Sequence, residues 1–393
     1  MTTLLLYIAF LLSLETVVIL VLWWAHLRFW RSRLQLPLDY AATEELVMPD
    51  GGTIELRRIG AGSTAGARGE ASRVPVLLIH GLAMNHRNHD GSEDGSFARY
   101  LRDQGRDVWL LTLRSGRPSR SFRGHPRSDF AAMAKYDVPS AVDAVLDRTG
   151  QPQLDLGGFS MGGMLLYATL DRTLDPSLVR RVAIFASPAK IRPLGLTGMF
   201  HWLPPALTPA VRLRLFMRSF AFFPRLVPSL LWRRLYNPKN VEPAVERRML
   251  WNVWEDIPGR LGSDFSRWAA RGGDLTVDGV PVLAGLANVT TPVCFFAGKV
   301  DWLAPEYTVR AGYEAWGRNV PGVDKHFVVL GRETGAVDDY GHCDLSFGRH
   351  VKREVFEPAA RFLASGVFRL PQGSALERGE PELASADGPL LAQ

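Results

Sequence analysis

Residues 154–163 read Leu-Asp-Leu-Gly-Gly-Phe-Ser-Met-Gly-Gly and contain the pattern Gly-x-Ser-x-Gly at Gly158, Ser160 and Gly162. The apolar start predicts a strand that ends just before the serine, and residues 164–170 predict a helix behind it. Glycines let such a turn close tightly around a strained serine. N–H groups at the start of the helix would face a carbonyl oxygen that reacts with this serine. A glycine-rich loop that binds nothing can carry the same pattern, so the rest of the chain must decide.

Strand and helix patterns alternate on both sides of this turn. The predicted strands are residues 74–79, 107–113, 154–159, 182–185, 292–296 and 327–330, and the predicted helices are residues 97–104, 129–149, 306–316 and 351–363. Short apolar strands separated by helices imply a mostly parallel sheet covered on both faces. Residues 45–56 predict a hairpin ahead of this sheet.

The alternation divides the chain into segments. It stops at about residue 190 and resumes at about residue 290, which predicts a helical cap or lid inserted at 190–289 between the core segments 41–189 and 290–365. Residues 60–72 are rich in Gly, Ala and Ser and predict a loop. Residues 366–393 have little apolar periodicity and predict a disordered tail.

The composition is basic but does not indicate nucleic acid as a partner. The 393-residue chain has a formal net charge of +6 and far more arginine than lysine. Its arginines are spread out and accompany no zinc-finger or RNA-binding motif, which favours an anionic membrane surface. The cysteines Cys294 and Cys343 are too few for a disulfide framework.

The first 40 residues differ in kind from the rest. Residues 4–24 are almost continuously apolar, which is long enough for a helix that crosses a bilayer. Glu15 costs about 2.5–3.5 kcal/mol at mid-span, which the surrounding aliphatic residues offset. A cleaved signal peptide is disfavoured because no Lys or Arg precedes the apolar run and no small-x-small site follows it.

Residues around the end of this apolar run predict its orientation. Trp23, Trp24 and Trp30 are placed where an interfacial aromatic belt would lie. Three arginines follow the run, at Arg28, Arg31 and Arg33. By the positive-inside rule they place the remaining domain on the cytoplasmic side of the membrane.

A serine nucleophile needs a base, and the base needs an acid that orients it. Where the serine lies on such a strand-to-helix turn, the acid and then the histidine follow it along the chain, on loops at the carboxyl edge of the sheet. Asp301 directly follows a predicted strand, and His342 lies between the last predicted strand and the last predicted helix. The sequence therefore predicts Ser160, Asp301 and His342 as a catalytic triad.

Other histidines and acids are less well placed. His26 lies in the apolar segment, His201 in the insertion, His326 at the start of a strand and His350 in the final helix. Three acids share the loop of His342, which favours a structural role for them: Asp338, Asp339 and Asp344.

Two further groups lie after the strand at 74–79. A main-chain N–H in His80-Gly81-Leu82, together with that of Met161, would form an oxyanion hole. His86, His89 and Asp90 are of metal-binding residue types, but a single short cluster without a second motif favours polar loop residues. No metal and no cofactor is predicted.

Several motifs resemble the acid-lipase branch of the α/β-hydrolases, which contains the gastric and lysosomal cholesteryl-ester lipases. They are residues 105–110, 114–116, 119–120, 133–143 and 149–151, Asp301-Trp302-Leu303-Ala304 and Tyr340-Gly341-His342-Cys343-Asp344-Leu345. The resemblance covers residues 75–187 and 292–362, with more distant similarity to polyhydroxyalkanoate synthases and to part of some bacterial sterol oxidases. It implies an α/β-hydrolase fold, Ser160 as nucleophile, Asp301 as acid, His342 as base, and Leu82 with Met161 as oxyanion donors. It also implies ester chemistry on apolar acyl substrates.

The chain departs from these relatives beside the serine. Acid lipases usually carry His-Ser-Gln-Gly, where this chain has Phe159-Ser160-Met161-Gly162. The acid lipases are secreted and disulfide-bonded, whereas this chain has an apolar N-terminal segment and two cysteines. The synthases use cysteine as nucleophile, so Ser160 favours hydrolysis. Cys343 directly follows the predicted base and cannot replace Ser160 on the strand-to-helix turn.

The inserted segment alternates large apolar residues with arginine. Its aromatic and aliphatic members include Phe200, Trp202, Phe216, Phe220, Phe222, Phe223, Leu230, Leu231 and Trp232, and its arginines include Arg212, Arg214, Arg218, Arg225, Arg233 and Arg234. This pattern is typical of a helical hairpin resting on lipid headgroups, of an apolar acyl tunnel, or of a cap with its arginines in water.

The sequence thus predicts a membrane-anchored serine hydrolase that cleaves esters of apolar acyl chains. The alternatives are an acyltransferase with the same triad and an alcohol acceptor, or a non-catalytic protein of the same fold.

Overall fold

A computed structural model describes residues 2–37, 39–60, 74–91, 96–119, 121, 124–125, 127–192, 202–224 and 229–370 of the chain. One eight-stranded sheet forms the body of this part. Numbered along the chain, and including a separate two-stranded hairpin, the strands are β1 (Ala42–Val47), β2 (Thr53–Gly60), β3 (Val76–Ile79), β4 (Val108–Thr112), β5 (Leu154–Phe159), β6 (Val179–Phe185), β7 (Thr276–Val277), β8 (Val280–Pro281), β9 (Val293–Gly298) and β10 (Lys325–Leu330).

The sheet has the order β1-β2-β4-β3-β5-β6-β9-β10. Strands β1 and β2 form an antiparallel hairpin, and β2 pairs antiparallel with β4. The neighbouring pairs β4–β3, β3–β5, β5–β6, β6–β9 and β9–β10 are parallel. The prediction of a mostly parallel sheet with an N-terminal hairpin is confirmed.

Helices cover the sheet and build an insertion beside it. In chain order they are α1 (Thr2–Leu34), α2 (Phe97–Asp103), α3 (Phe130–Ala132), α4 (Val138–Thr149), α5 (Met161–Thr169), α6 (Leu213–Phe220), α7 (Ser229–Trp232), α8 (Pro243–Asn252), α9 (Gly259–Ala270), α10 (Val282–Leu286), α11 (Glu306–Ala315), α12 (Asp344–Phe347) and α13 (Glu357–Ser365). Helices α6 to α10 and the hairpin β7–β8 lie within the segment predicted as a cap.

The sheet separates two apolar cores. Along β3, Val76 and Leu78 point into one core while Leu77 and Ile79 point into the other, because side chains of a strand alternate between its faces. All four are fully buried. Both faces of the parallel region are therefore covered, and the carboxyl ends of its strands remain as the edge where loops gather.

Two predicted helices are interrupted by π turns. The helix predicted at 129–149 changes pitch at Met133–Asp137, just before Val138-Pro139, and the last helix does so at Lys352–Phe356, just before Glu357-Pro358. A proline inside a helix lacks the N–H donor and clashes with the carbonyl four residues earlier. The wider turn ahead of each proline lets the chain continue as a helix.

Helix α1 is packed at its C-terminal end and exposed before it. The stretch Leu5–Leu34 is long and apolar enough to cross a membrane, a test that a signal sequence near an N-terminus also meets. Leu34 is buried, and Trp30 stacks on Phe222 of the cap with ring centroids 5.8 Å apart. Asn252 of α8 accepts from Leu36 N at 3.1 Å and donates to Leu34 O at 2.8 Å. The end of α1 is thus joined to the cap.

The two segments predicted to lack structure are only partly described. The loop predicted at 60–72 lies outside the described residues from 61 onward, and the tail predicted at 366–393 does so from 371 onward. Phe368 stacks on His326 of β10 with centroids 4.7 Å apart, so the described start of this segment contacts the sheet.

Candidate active site

Ser160 lies on the sharp turn between β5 and α5. Its φ of 51° and ψ of −117° are a strained backbone conformation for a residue with a side chain. Ser160 N donates to Phe185 O at 2.8 Å, which ties the turn to the neighbouring strand. A side chain on Gly162 would collide with the carbonyl of Ile79, and one on Gly158 would lie 2.6 Å from Gly163 N. The glycines of the pattern are therefore required by the close packing of this turn.

Asp301 lies on the loop after β9 with its carboxylate turned inward. One oxygen, Oδ1, accepts from the backbone N–H groups of Leu303 at 2.9 Å and Ala304 at 2.8 Å. The other, Oδ2, lies 2.8 Å from Nδ1 of His342. The side chain is fully buried, so its loop holds the acid in one orientation.

His342 lies on the loop after β10 and joins the acid to the serine. Its Nε2 lies 2.9 Å from Oγ of Ser160. Since an ionised carboxylate only accepts, Nδ1 carries the proton toward Asp301, and Nε2 is the acceptor for the serine hydroxyl. The ring packs edge-on against Phe159 with centroids 5.1 Å apart. The structure thus brings the three residues predicted as a triad into one hydrogen-bonded chain.

The competing histidines lie elsewhere. His350 faces Asp338 at 3.8 Å near the surface, His326 stacks on Phe368, and His26 packs on Phe222. His201 lies outside the described residues.

The acids near His342 have structural roles. Asp344 accepts from Gly341 N, Asn237 N and Asn240 Nδ2, and it therefore ties the histidine loop to the cap. Burial raises the pKa of this carboxyl to about 7. Asp339 accepts from Arg332 N, and Asp338 pairs with Arg332 on the surface.

The end of β3 lies beside Ser160. A Cβ built on Gly81 would lie 3.1 Å from Cβ of Ser160. The predicted donor Leu82 follows Gly81, and Met161 is the first residue of α5, where helix N–H groups have no partner within the helix. Both predicted oxyanion donors thus belong to segments that meet at the serine.

Two buried histidines hold this strand end. His80 Nε2 accepts from Leu113 N at 3.0 Å, and His89 Nε2 lies 3.0 Å from Ile79 O. Burial lowers the pKa of each imidazole to about 4, so both rings are neutral near pH 7.

Asn88 was not predicted as a site residue. Its Oδ1 accepts from Gly81 N at 3.2 Å, and its Nδ2 donates to Ser346 Oγ at 3.1 Å. The side chain therefore links the loop of the predicted oxyanion donor to α12, next to the histidine. An asparagine in a loop has no distinctive sequence pattern, which is why this role is visible only in the fold.

His86, His89 and Asp90 are engaged with other protein groups. His86 Nδ1 contacts Arg57 and Thr112, and Asp90 accepts from Tyr40 Oη at 2.8 Å and Arg99 Nε at 2.7 Å. Across the described part of the chain, no group of three or more His, Cys, Asp or Glu residues could hold a metal ion.

Neither cysteine competes with the serine. Cys294 is buried in β9, and Cys343 is buried beside His342; neither forms a disulfide. Burial raises the pKa of both thiols, so they stay protonated at neutral pH.

The cap packs directly on the loop after β3. Glu255 N donates to Ala83 O at 2.7 Å, and Asn85 N donates to Val253 O at 3.1 Å. Within the described part of the cap, several large apolar side chains are exposed: Trp202, Leu207, Val211, Leu215, Phe216, Phe223, Leu230 and Leu231. The cap therefore contacts the loop that follows β3 and also carries exposed apolar side chains.

Sequence comparison finds relatives among lipases. A family described as "alpha/beta hydrolase fold" matches residues 74–348. Human gastric triacylglycerol lipase is 34% identical over 159 residues, which are 37% of this chain and 38% of that protein. A putative lysosomal acid lipase/cholesteryl ester hydrolase of Crotalus adamanteus is 31% identical over 172 residues, 41% of this chain and 42% of that protein. The chain thus spans less than half the length of the curated relatives it matches.

Solved structures with a similar fold include two hydrolytic enzymes of low sequence identity. A monoacylglycerol lipase from Paleococcus ferrophilus superposes with a TM-score of 0.53 at 14% identity, covering 80% of this chain and 99% of that one. An esterase from Exiguobacterium antarcticum gives 0.51 at 17% identity, covering 82% and 99%.

Proposed function

Because the chain belongs to the α/β-hydrolase fold family, we propose that it is a membrane-anchored serine hydrolase that cleaves carboxylic esters of apolar acyl chains. The predicted resemblance to the acid-lipase branch is confirmed by the lipase relatives. The observation that carries the proposal is the hydrogen-bonded chain from Ser160 Oγ to His342 Nε2 and from His342 Nδ1 to Asp301.

In the proposed first half-reaction, Ser160 attacks the ester carbonyl. His342 Nε2 takes the hydroxyl proton as Oγ forms its bond to the carbonyl carbon. The N–H groups of Leu82 and Met161 stabilise the negative charge that develops on the carbonyl oxygen. His342 then gives the proton to the alcohol oxygen as the ester C–O bond breaks, leaving an acyl-enzyme on Ser160.

In the second half-reaction, water replaces the alcohol. His342 takes a proton from the water, whose oxygen attacks the acyl carbon, and then returns a proton to Ser160 Oγ as the fatty acid leaves. Asp301 stays ionised and holds the imidazole in the tautomer that both half-reactions need. Two N–H donors on the far oxygen of Asp301 support this role, since they keep the carboxylate from turning away.

The apolar surface of the cap supports a substrate with an apolar acyl chain. Exposed apolar side chains in contiguous groups are typical of surfaces that meet lipid or another apolar partner. The exposed members Leu215, Phe216 and Phe223 lie on and after α6, a cap helix that buries its Met217 in the core. The names of the lipase relatives agree with this substrate class.

The membrane anchor is proposed to be α1, with the remaining domain on the cytoplasmic side. The exposed apolar residues before Trp24 support a membrane span, and Arg28, Arg31 and Arg33 support the orientation. A reporter fused to the C-terminus tests the orientation: a signal from a cytoplasm-dependent reporter is expected, and a signal from the opposite side of the membrane would contradict it.

A fluorophosphonate probe tests the nucleophile directly. We expect the full chain in mild detergent to be labelled, and Ser160→Ala to remove the labelling while the protein still unfolds cooperatively. A panel of esters from short to long acyl chains then tests the substrate class, with free acid as the product measured. Equal labelling of the wild type and Ser160→Ala would refute the serine hydrolase; mainly transacylated product in the presence of a lipid alcohol would favour acyl transfer.

A further inference from the structure

A cleft lies between α1 and the cap. Its volume is about 560 Å³, and none of the triad residues belongs to its described lining. Trp251 and Asp256 line it from the cap, while Trp24 and Leu27 line it from α1. The cleft is therefore bounded by the proposed membrane helix on one wall and by the cap on the other.

The described lining of this cleft is strongly cationic. Five arginines face it: Arg28, Arg31, Arg212, Arg214 and Arg218. Asp256 pairs with Arg212 at 2.9 Å, and Glu255 lies 3.5 Å from Arg214. Among the described residues, three of the five arginines then have no carboxylate within ion-pair distance.

These three arginines are held by neutral groups. Arg28 lies over the ring of Trp24, Arg31 donates to Gln35 Oε1 at 3.1 Å, and Arg218 donates to Trp251 O at 3.0 Å. Burial, followed by the nearby charge of Arg214, lowers the pKa of Arg218 to about 10. A bound anion would relieve both effects, because it would give the desolvated guanidinium a counter-charge.

Apart from Ser119, the uncharged part of the lining is apolar. Trp24 and Leu27 of α1 and Leu215 and Trp251 of the cap form this apolar wall next to the arginines. An inorganic anion would leave this apolar wall in water, whereas an amphiphile would cover it and place its charged group against the guanidinium groups. The lining therefore fits an anionic group that carries a hydrocarbon chain.

The position of the cleft along the membrane normal matches that of the lipid headgroups. This step rests on the proposed function, in which α1 spans the membrane. A helix rises 1.5 Å per residue, so residues 4–24 cover about 30 Å, the thickness of the hydrocarbon core. Arg28 follows Trp24 by about one turn. The mouth of the cleft would then lie at the level of the lipid phosphates.

We propose that this cleft binds the phosphate of an anionic phospholipid from the adjacent leaflet. Guanidinium groups from α1 and from the cap reach the phosphate together, and planar guanidinium groups bind phosphate oxygens in pairs. The glycerol and the first methylenes cover the apolar wall. A single lipid thereby bridges the anchor and the cap.

The test measures lipid retention by the full chain in neutral detergent. Ser160→Ala is the parent protein, so that a bound lipid cannot be hydrolysed. Native mass spectrometry follows binding of added phosphatidylglycerol and, separately, of phosphatidylcholine. We expect phosphatidylglycerol to bind at least about tenfold more tightly, and Arg28→Gln/Arg31→Gln to remove this preference. Both arginines are exposed on α1, so their replacement leaves the core intact.

A matched control removes the same charge elsewhere. Arg233→Gln/Arg318→Gln also lacks two exposed arginines, neither of which lines the cleft, and it is expected to retain the preference. Equal losses in the two double variants would overturn the proposal, since binding would then follow net charge alone. Displacement of the lipid by inorganic phosphate at an equal concentration would also overturn it, because the cleft would then be a site for a free anion.

The test of the lipid site and the test of the proposed hydrolase can fail independently of each other. Fluorophosphonate labelling of the protein with Ser160 intact reports on the triad and does not depend on the cleft. Labelling without a preference for phosphatidylglycerol would refute only the proposed lipid site. A preference for phosphatidylglycerol without labelling would refute only the proposed hydrolase.

Discussion

Each residue of the triad is oriented by a different kind of contact. The backbone of Ser160 is strained and held by the neighbouring strand, the carboxylate of Asp301 is held by two N–H groups, and the imidazole of His342 is held by the other two side chains. The hydrogen-bond partners of the histidine ring are the other two members of the triad, and the ring also packs on Phe159. Its replacement should therefore remove the base with little effect on folding.

Replacing this base tests its role. His342→Ala is expected to lower kcat on a suitable ester by about 10³–10⁶-fold and to abolish fluorophosphonate labelling, because it removes the ring nitrogen that lies 2.9 Å from Ser160 Oγ. His350→Ala is the control, since His350 lies near the surface opposite Asp338 and should leave the rate almost unchanged. Labelling lost equally in both variants would contradict the assignment of the base.

The two neutral histidines that hold the end of β3 should make the free energy of unfolding smaller in acid. The folded pKa of His80 and of His89 is about 4, below the ordinary value of 6.5, so only the unfolded chain takes up protons between these values. Stability should therefore fall as pH drops from 6.5 to 4, by about 2–3 kcal/mol for each histidine.

The contribution of His89 can be isolated. His89→Gln retains an N–H donor for the carbonyl of Ile79 but cannot titrate. Chemical unfolding at pH 7 and pH 4.5 should show a smaller acid loss in this variant than in the wild type. The same loss in both proteins would indicate that His89 does not contribute to the acid sensitivity.

At the level of elements, the tight turn between β5 and α5 depends on contacts that only glycine permits. Gly162→Ala is expected to cost about 1–3 kcal/mol and to abolish labelling, because its methyl group would displace the end of β3 and with it the loop that carries Leu82. Gly262→Ala is the matched control within α9. Its nearest neighbour would be 3.7 Å away, so it should be neutral or stabilising by up to about 1 kcal/mol. Chemical unfolding and probe labelling check both.

The junction between α1 and α8 depends on Asn252. Asn252→Ala removes the partners of Leu36 N and Leu34 O, which should cost about 1–3 kcal/mol locally. Faster hydrogen exchange at Leu36 is the expected result. The control is Asn319→Ala, where the side chain is exposed and bonds to Asn288. Unchanged exchange in Asn252→Ala would show that apolar contacts alone join the helix to the cap.

The strands could be predicted from the sequence more closely than the long helices. A strand that is buried on both faces of the sheet appears in the sequence as a short apolar run between turns. The bounds predicted for β5 are the observed ones. The π turns were missed because helical periodicity describes a pattern of exposure and does not resolve a local change of pitch before Pro139 or Pro358. The structure shows that the prolines are accommodated without ending the helices.

The predicted site residues came together because chain order constrains topology. Each of Ser160, Asp301 and His342 follows a parallel strand, so all three reach the same edge of the sheet. Asn88 and the links from Asp344 to the cap could not be predicted, since they depend on contacts between segments far apart in sequence. Local patterns identify the reacting groups, and the supporting contacts require the fold.

At the level of the whole molecule, removal of residues 1–24 tests the proposed anchor. The truncated protein retains the part of α1 that packs on the cap, so it should leave the carbonate-washed membrane fraction and keep its labelling at Ser160. Glu15→Leu is the control, which alters the same segment and should stay in the membrane. Release of the untruncated protein by carbonate would contradict a membrane span.

The short distance between α1 and the body has a kinetic consequence. Leu34, the last residue of α1, is already buried, and β1 begins at Ala42, so the proposed anchor has no long flexible linker to the sheet. The site would be held at one height and one tilt over the bilayer and would meet substrate by lateral diffusion in the plane. Its turnover should then follow the mole fraction of ester in the surface, and dilution of the same vesicles in buffer should leave the rate per enzyme unchanged.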